Sequence, residues 1–324
     1  MEFAFMAEVL LLSMLLDNRL FMEPARIKQL TAFLENASAA YFPEHDTTYM
    51  VEILNAVQAL FAGRYPGYQR CDTEYHDFGH TLQATEAVVR ILGGHICSGA
   101  KPDCSGRDLD LGVTASLLHD SGYLKRVGDN TGTGAKYTVT HVERSADFAA
   151  AFLPAFGVTL DEINLVQVAI RCTGINVERT MWSFLNEREW LLGCAMGAGD
   201  ILGQMAAPDY PERLPALYRE YREAVEYSHL TQGMLVGFTS VEDLMGKTRG
   251  FYQDYVQRML GTVWGSVHES LIYHFDGANL NYFSRIEENL KRIDQILQAR
   301  QNLVSPQSVD PVSTTAGSTL VHRN

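Results

Sequence analysis

The run FGHTLQATEAVVRIL, from Phe78 to Leu92, decides how the fold is read. Ala87, Val88, Ile91 and Leu92 recur at three- and four-residue spacing with polar residues between them, the stripe of an amphipathic helix and not the alternation of a strand. The same period returns along most of the chain. It predicts helices over Phe3–Leu16, Pro24–Asn36, Asp46–Ala62, Leu109–His119, Val139–Phe152, Leu160–Ile170, Glu187–Gln204, Leu214–Ser228, Val241–Leu260 and Asn281–Gln301. Thr159 or Asp161 can cap the helix that begins near Leu160. No regular succession of alternating strands breaks the pattern, so the expected fold is all-α, a multi-helix bundle.

Two connections stand out. Gly93 to Arg107 is rich in Gly, Ser, Pro and Cys and reads as a mobile link between helices. Arg126 to Thr138, RVGDNTGTGAKYT, holds three glycines and several short polar residues. It reads as a mobile loop able to approach a ligand closely. From about Val304 to Asn324 the periodicity fades into Ser, Thr, Val and Pro, which predicts a disordered tail.

The chain has 324 residues, 46% of them hydrophobic and 20% charged, enough apolar material for a buried core. Lys plus Arg number 26 against 39 Asp plus Glu, a formal charge of −13. Such a chain repels phosphate backbones, which argues against non-specific nucleic-acid binding. A phosphate-bearing ligand would need a local positive charge, such as a metal ion. The five cysteines form no CxxC pair and read as reduced thiols of a cytoplasmic protein. The apolar run Val9 to Leu16 is too short to span a bilayer and lacks a basic flank, so no membrane attachment is expected.

The chemistry-bearing residues fall in a pattern. His76 and His80 stand at i and i+4 in YHDFGHT, which on a helix puts both rings on one face. His119 and Asp120 end the apolar stretch SLLHDSGYL. His141 follows the Gly-rich loop, and Asp200 lies inside the otherwise apolar run GAGDILGQ. Imidazole nitrogens and carboxylate oxygens together suit a borderline divalent ion. Adjacent residues on a helix point about 100° apart, so His119 and Asp120 can share one ion only beside a helix end. His80 and Asp200 are the natural suppliers of the other two ligands. A set of two imidazoles and two carboxylates leaves room for water and substrate. Lys136, on the Gly-rich loop, could close over a phosphate as a point charge. The run RLPALYREYR, Arg213 to Arg222, reads as a charged helix face.

The ordered set H…HD…D, with an apolar stretch before the HD, resembles the HD-domain metal-dependent phosphohydrolases. YHDFGH also resembles the YHN-x-x-H signature of cyclic-nucleotide phosphodiesterases, with Asp77 in the Asn position. The resemblance covers roughly Tyr75 to Asp254. It implies that His80, His119, Asp120 and Asp200 hold one divalent transition metal, Mn, Co, Ni, Zn or Fe. It implies His76 as the general acid, Asp120 as an aid to the attacking water, and His141 as a ligand of a second, weaker ion. Gln253 and Tyr255 match loosely the Gln and aromatic that clamp a base. The division that follows is N-terminal helices over 1–70, a metal-binding catalytic core over 71–260, C-terminal helices over 261–303 and a tail over 304–324. The implied activity is hydrolysis of a phosphomonoester or phosphodiester, such as a nucleotide or cyclic nucleotide, by metal-activated water. The rival expectations are a diiron oxygenase of the same superfamily and a non-catalytic metal-stabilised ligand-binding domain. Association into a homo-oligomer is left open.

Overall fold

The computed structural model describes residues 25–174, 184–229, 234–274 and 281–304. The expected helix over Phe3–Leu16 and the expected tail beyond Val304 lie outside them. The described residues form an all-α, multi-helix bundle. Helices α1 (25–41) and α2 (Thr48–Phe61) lead into α3 (Phe78–Ser98) and α4 (Gly106–Leu118). Next come α5 (His141–Phe152), α6 (Leu160–Arg171) and α7 (Glu187–Met205). The chain continues through α8 (Tyr210–Ser228) and α9 (Val241–Gly250) to α10 (Tyr282–Val304). The only β pairing among the described residues is one isolated antiparallel bridge, Tyr68 with Arg126. No described helix is long and apolar enough to cross a membrane.

The core is continuous from α1 to α10. Leu30 and Leu34 at one end of the chain, and Ile286, Leu290 and Ile293 at the other, belong to one buried cluster with the central helices. Ile53, Ile91, Leu92 and Leu111 are fully excluded from solvent. Each such side chain stabilises the fold by about 1.5–3 kcal/mol relative to exposure.

Most helix boundaries lie within a few residues of those predicted. The clearest difference is α3, which runs through Gly93 and Gly94 to Ser98 and stops at Gly99 in the left-handed region (φ 68°). The two glycines are there for space and not for a turn. A Cβ on Gly94 would stand 1.9 Å from the Ser270 carbonyl oxygen, and one on Gly93 would stand 2.1 Å from the Tyr41 hydroxyl. Helix α4 likewise begins earlier than expected, at Gly106, because Ser105 and Asp108 form a capping box. Beyond α9 the helix continues in widened π turns over Phe251–Val256 and Met259–Val263, where a uniform α-helix was expected.

Helix α7 lies unusually close to α3. A Cβ on Gly199 would stand 2.5 Å from the Val88 side chain, and one on Gly203 would stand 2.8 Å from the Gln83 carbonyl oxygen. Small residues on this face let the two backbones approach. That approach brings Asp200, next to Gly199, against the start of α3.

The loop over Arg126 to Thr138 is tied down, contrary to the mobile segment expected from its glycines. The Gln69 amide donates to the Arg126 and Asp129 carbonyl oxygens, each at 2.7 Å. Glu223, on α8, accepts from the Thr133 amide and hydroxyl at 2.5 and 2.6 Å. Asp72 accepts from the Gly134 amide at 2.7 Å. The segment ends in a 3₁₀ turn over Gly134–Tyr137.

Candidate metal centre

Three helices deliver four ligand groups to one point. Asp77 caps α3 by accepting from the His80 amide at 2.9 Å, which fixes His80 in the first turn. Helix α4 ends at Leu118, and His119 is its cap residue. The backbone then leaves helical geometry at Asp120 (φ −105°, ψ 6°) and passes into a 3₁₀ turn over Ser121–Tyr123. That change of path lets two adjacent side chains converge. Helix α7 brings Asp200.

The Nε2 atoms of His80 and His119 are 3.3 Å apart. Asp120 Oδ2 lies 3.3 Å from His80 Nε2 and 3.4 Å from His119 Nε2. Asp200 Oδ1 lies 3.1 Å and 3.6 Å from the same two nitrogens. Bonds of about 2.0–2.2 Å to one divalent ion hold neighbouring ligand atoms about 3–3.5 Å apart, so the spacings of the two imidazoles with either carboxylate suit a shared cation, and a small inward shift of Asp200 would complete the set of four. The tightest group is His80, His119 and Asp120, whose ligand atoms all lie within 4.8 Å of one another; Asp200 stands outside it and, of these three, touches only the two imidazoles. Asp120 Oδ2 is buried and has no hydrogen-bond partner among the described residues. A buried carboxylate oxygen with imidazole neighbours but no hydrogen bond is costly, and a cation would reduce that cost.

The histidines are oriented from behind. His119 Nδ1 donates to the Ser116 carbonyl oxygen at 2.7 Å, and His141 Nδ1 donates to the Thr138 carbonyl oxygen at 2.7 Å. His76 Nδ1 donates to Glu220 Oε2 at 2.5 Å. Each bond leaves Nε2 as the atom free to face the centre.

Electrostatics follow from burial among carboxylates. Burial opposes a charged His119, but Asp120 and Asp200 outweigh it and raise its pKa to about 9. The same imidazoles hold Asp120 and Asp200 below the usual carboxylate range, against their burial. Burial also opposes charge on His76, yet Glu220 overcomes it and raises the pKa. His141 behaves oppositely. Burial dominates and pushes its pKa down to about 4, so at neutral pH it is a neutral imidazole. Its Nε2 lies 3.8 Å from Asp120 Oδ1, on the far side of that carboxylate from His80.

Two residues of the site are absent from the sequence reading. Tyr123 is sandwiched between His76 (ring centroids 4.5 Å apart, 13° interplanar) and His141 (4.4 Å, 19°). Glu220 accepts from both His76 Nδ1 and the Tyr75 amide, the latter at 2.6 Å. The charged face expected over Arg213–Arg222 therefore needs correction, because Glu220 is only 4% exposed and Arg213 only 9%. Arg213 donates to the Tyr75 carbonyl oxygen and pairs with Asp77 at 3.0 Å, clamping the YHDFGH segment from behind. A spacing of seven between two charges on one helix was the available signal, since it puts both on one face.

Other expected site residues lie elsewhere. Lys136 is committed to Asp129 Oδ1 at 2.5 Å and to the Thr131 carbonyl oxygen at 2.6 Å, so its ammonium serves the loop. Gln253 is exposed, and Tyr255 stacks on Phe251 with ring centroids 5.2 Å apart.

No protein-family model matches this chain, and no curated protein matches it.

Proposed function

We propose that the protein is a metal-dependent phosphohydrolase acting on a phosphomonoester or phosphodiester. The observation that carries this reading is the convergence of His80, His119, Asp120 and Asp200 beside a separate His76–Glu220 pair. The four residues would hold one divalent ion. When bound, it supplies Lewis-acid chemistry: it lowers the pKa of water and draws charge from a phosphoryl oxygen. Asp120 accepts a hydrogen bond from the attacking water and orients it. His76 holds a proton at Nε2, because Glu220 occupies Nδ1 and favours the charged ring. That proton passes to the leaving oxygen. His141 and the outer oxygen of Asp120 would hold a second, weaker ion. The resemblance of the ordered H…HD…D set to HD-domain phosphohydrolases, and of YHDFGH to the cyclic-nucleotide phosphodiesterase signature, supports the same reading.

The test is elemental analysis joined to a phosphate-release screen with Mn, Co, Ni, Zn and Fe added in turn. One metal per chain and turnover of at least one phosphate ester are expected. Asp120→Ala should lose both. A variant with full metal content and normal turnover would sink the proposal. Two irons per chain, with oxygen consumed alongside an organic substrate, would favour a diiron oxygenase instead.

A further inference from the structure

We infer that a single buried water is bound behind His80 and supports it as a metal ligand; this rests on the metal-centre reading above. A cavity of about 10 Å³, taken as the space open to the centre of a water molecule, lies between Tyr75, His80, Gln83, Gln204, Tyr210 and Arg213. His80 Nδ1 and Arg213 Nε are both buried without a hydrogen-bond partner among the described residues. The two residues are only 2% and 9% exposed.

The pattern of the other histidines gives this its force. His76, His119 and His141 each have Nδ1 tied to an oxygen, at 2.5, 2.7 and 2.7 Å. His80 alone among the four lacks such a partner. Its Nε2 faces Asp120 and Asp200, so a metal held there requires the proton to sit on Nδ1. An Nδ1–H left unpaired in the interior costs about 1–3 kcal/mol, and so does the Arg213 Nε–H. Both residues line the cavity, and one acceptor within it would relieve both.

The protein's own oxygens do not fill that role. The Gln204 side-chain oxygen already accepts from the Tyr75 hydroxyl at 2.8 Å. Asp77, the carboxylate that Arg213 pairs with, is used in capping α3. Chemistry then selects the occupant, in a cavity with room for a water. A water also has two protons to return to neighbouring oxygens such as the Tyr210 hydroxyl or the Gln83 amide, which an anion lacks. The bound water would fix the His80 tautomer in the way that Ser116 fixes that of His119.

The experiment uses the full chain labelled with ¹⁵N-histidine and ¹⁵N-arginine, with and without one equivalent of zinc. Water-to-protein Overhauser effects are recorded, and a crystal structure of the zinc form is determined. The expected result is a His80 with protonated Nδ1 and a zinc-shifted Nε2. Long-lived water cross-peaks should appear to both His80 Hδ1 and Arg213 Hε, with one density peak between them. A zinc-shifted His80 without water cross-peaks or density overturns the bound water and leaves the metal centre standing. Zinc that leaves the His80 resonances unmoved overturns the metal reading, and with it the role given to the water.

Discussion

Glu220→Gln is the most informative change, because it spares all four proposed metal ligands and alters how His76 is held. The wild-type carboxylate accepts from His76 Nδ1 at 2.5 Å and from the Tyr75 amide at 2.6 Å. Glutamine has one oxygen for those two donors, and its NH₂ must face one of them. Hydrogen bonds to a charged group contribute about 1.5–3 kcal/mol and neutral ones about 0.5–1.5. The exchange, with one donor misfaced, removes about 2–3 kcal/mol from the protonated, correctly oriented ring, or about 30- to 150-fold in rate. The sign of the pH effect follows. In the proposed mechanism the active ring is the protonated one, present below its pKa and lost as pH rises. Glu220 raises that pKa, so its removal moves the alkaline limb of the rate profile to lower pH.

Comparing two diesters isolates the effect. An alkyl leaving group needs the His76 proton, whereas p-nitrophenolate departs without one. The variant should therefore lose far more activity on the alkyl diester than on bis(p-nitrophenyl) phosphate, with metal content unchanged. Equal losses on both, or an alkaline limb that stays in place, would refute the assignment of His76 as acid and Glu220 as its support.

Other changes probe the frame around the site. Glu162, which takes the Arg107 guanidinium at 2.7 and 3.2 Å, has its pKa held down to about 2 from 4.5, chiefly by that bond. Its stabilising effect is full above the unfolded value and fades as pH falls from 4.5 toward about 2. Urea titrations of Glu162→Gln against wild type should differ at neutral pH and converge in acid; curves that stay parallel would contradict this. Gly94→Ala should cost about 2–3 kcal/mol by overpacking, where Ala in a helix ordinarily gains about 1; calorimetry showing a stabilised variant would mean that α3 and the Ser270 backbone are not in contact. Lys136→Met should leave kcat/KM within about two-fold while lowering the thermal midpoint, because the ammonium is bound to Asp129. A selective loss of kcat/KM in a fully folded variant would restore Lys136 to the substrate.

The sequence alone carried the helical class, since a three- and four-residue period reflects the 3.6-residue turn and needs no tertiary information. It also singled out His80, His119, Asp120 and Asp200, because His and Asp set in apolar helices are costly unless something compensates them, and the structure brings these four together. It misjudged Gly93 and Gly94, whose place inside α3 depends on what packs against them. The cysteines, the charged run on α8 and the glycines of the 126–138 loop look alike in sequence whether they face solvent or a partner. Tertiary structure decided that Lys136 is bound to Asp129, that Tyr123 stacks between two imidazoles, and that Glu220 reaches His76 across 144 positions of chain. Local spacing specifies which way a side chain points on its own helix. Which helix lies opposite is set by how the whole core packs, and in this protein the small residues of α7 bring Asp200 to His80.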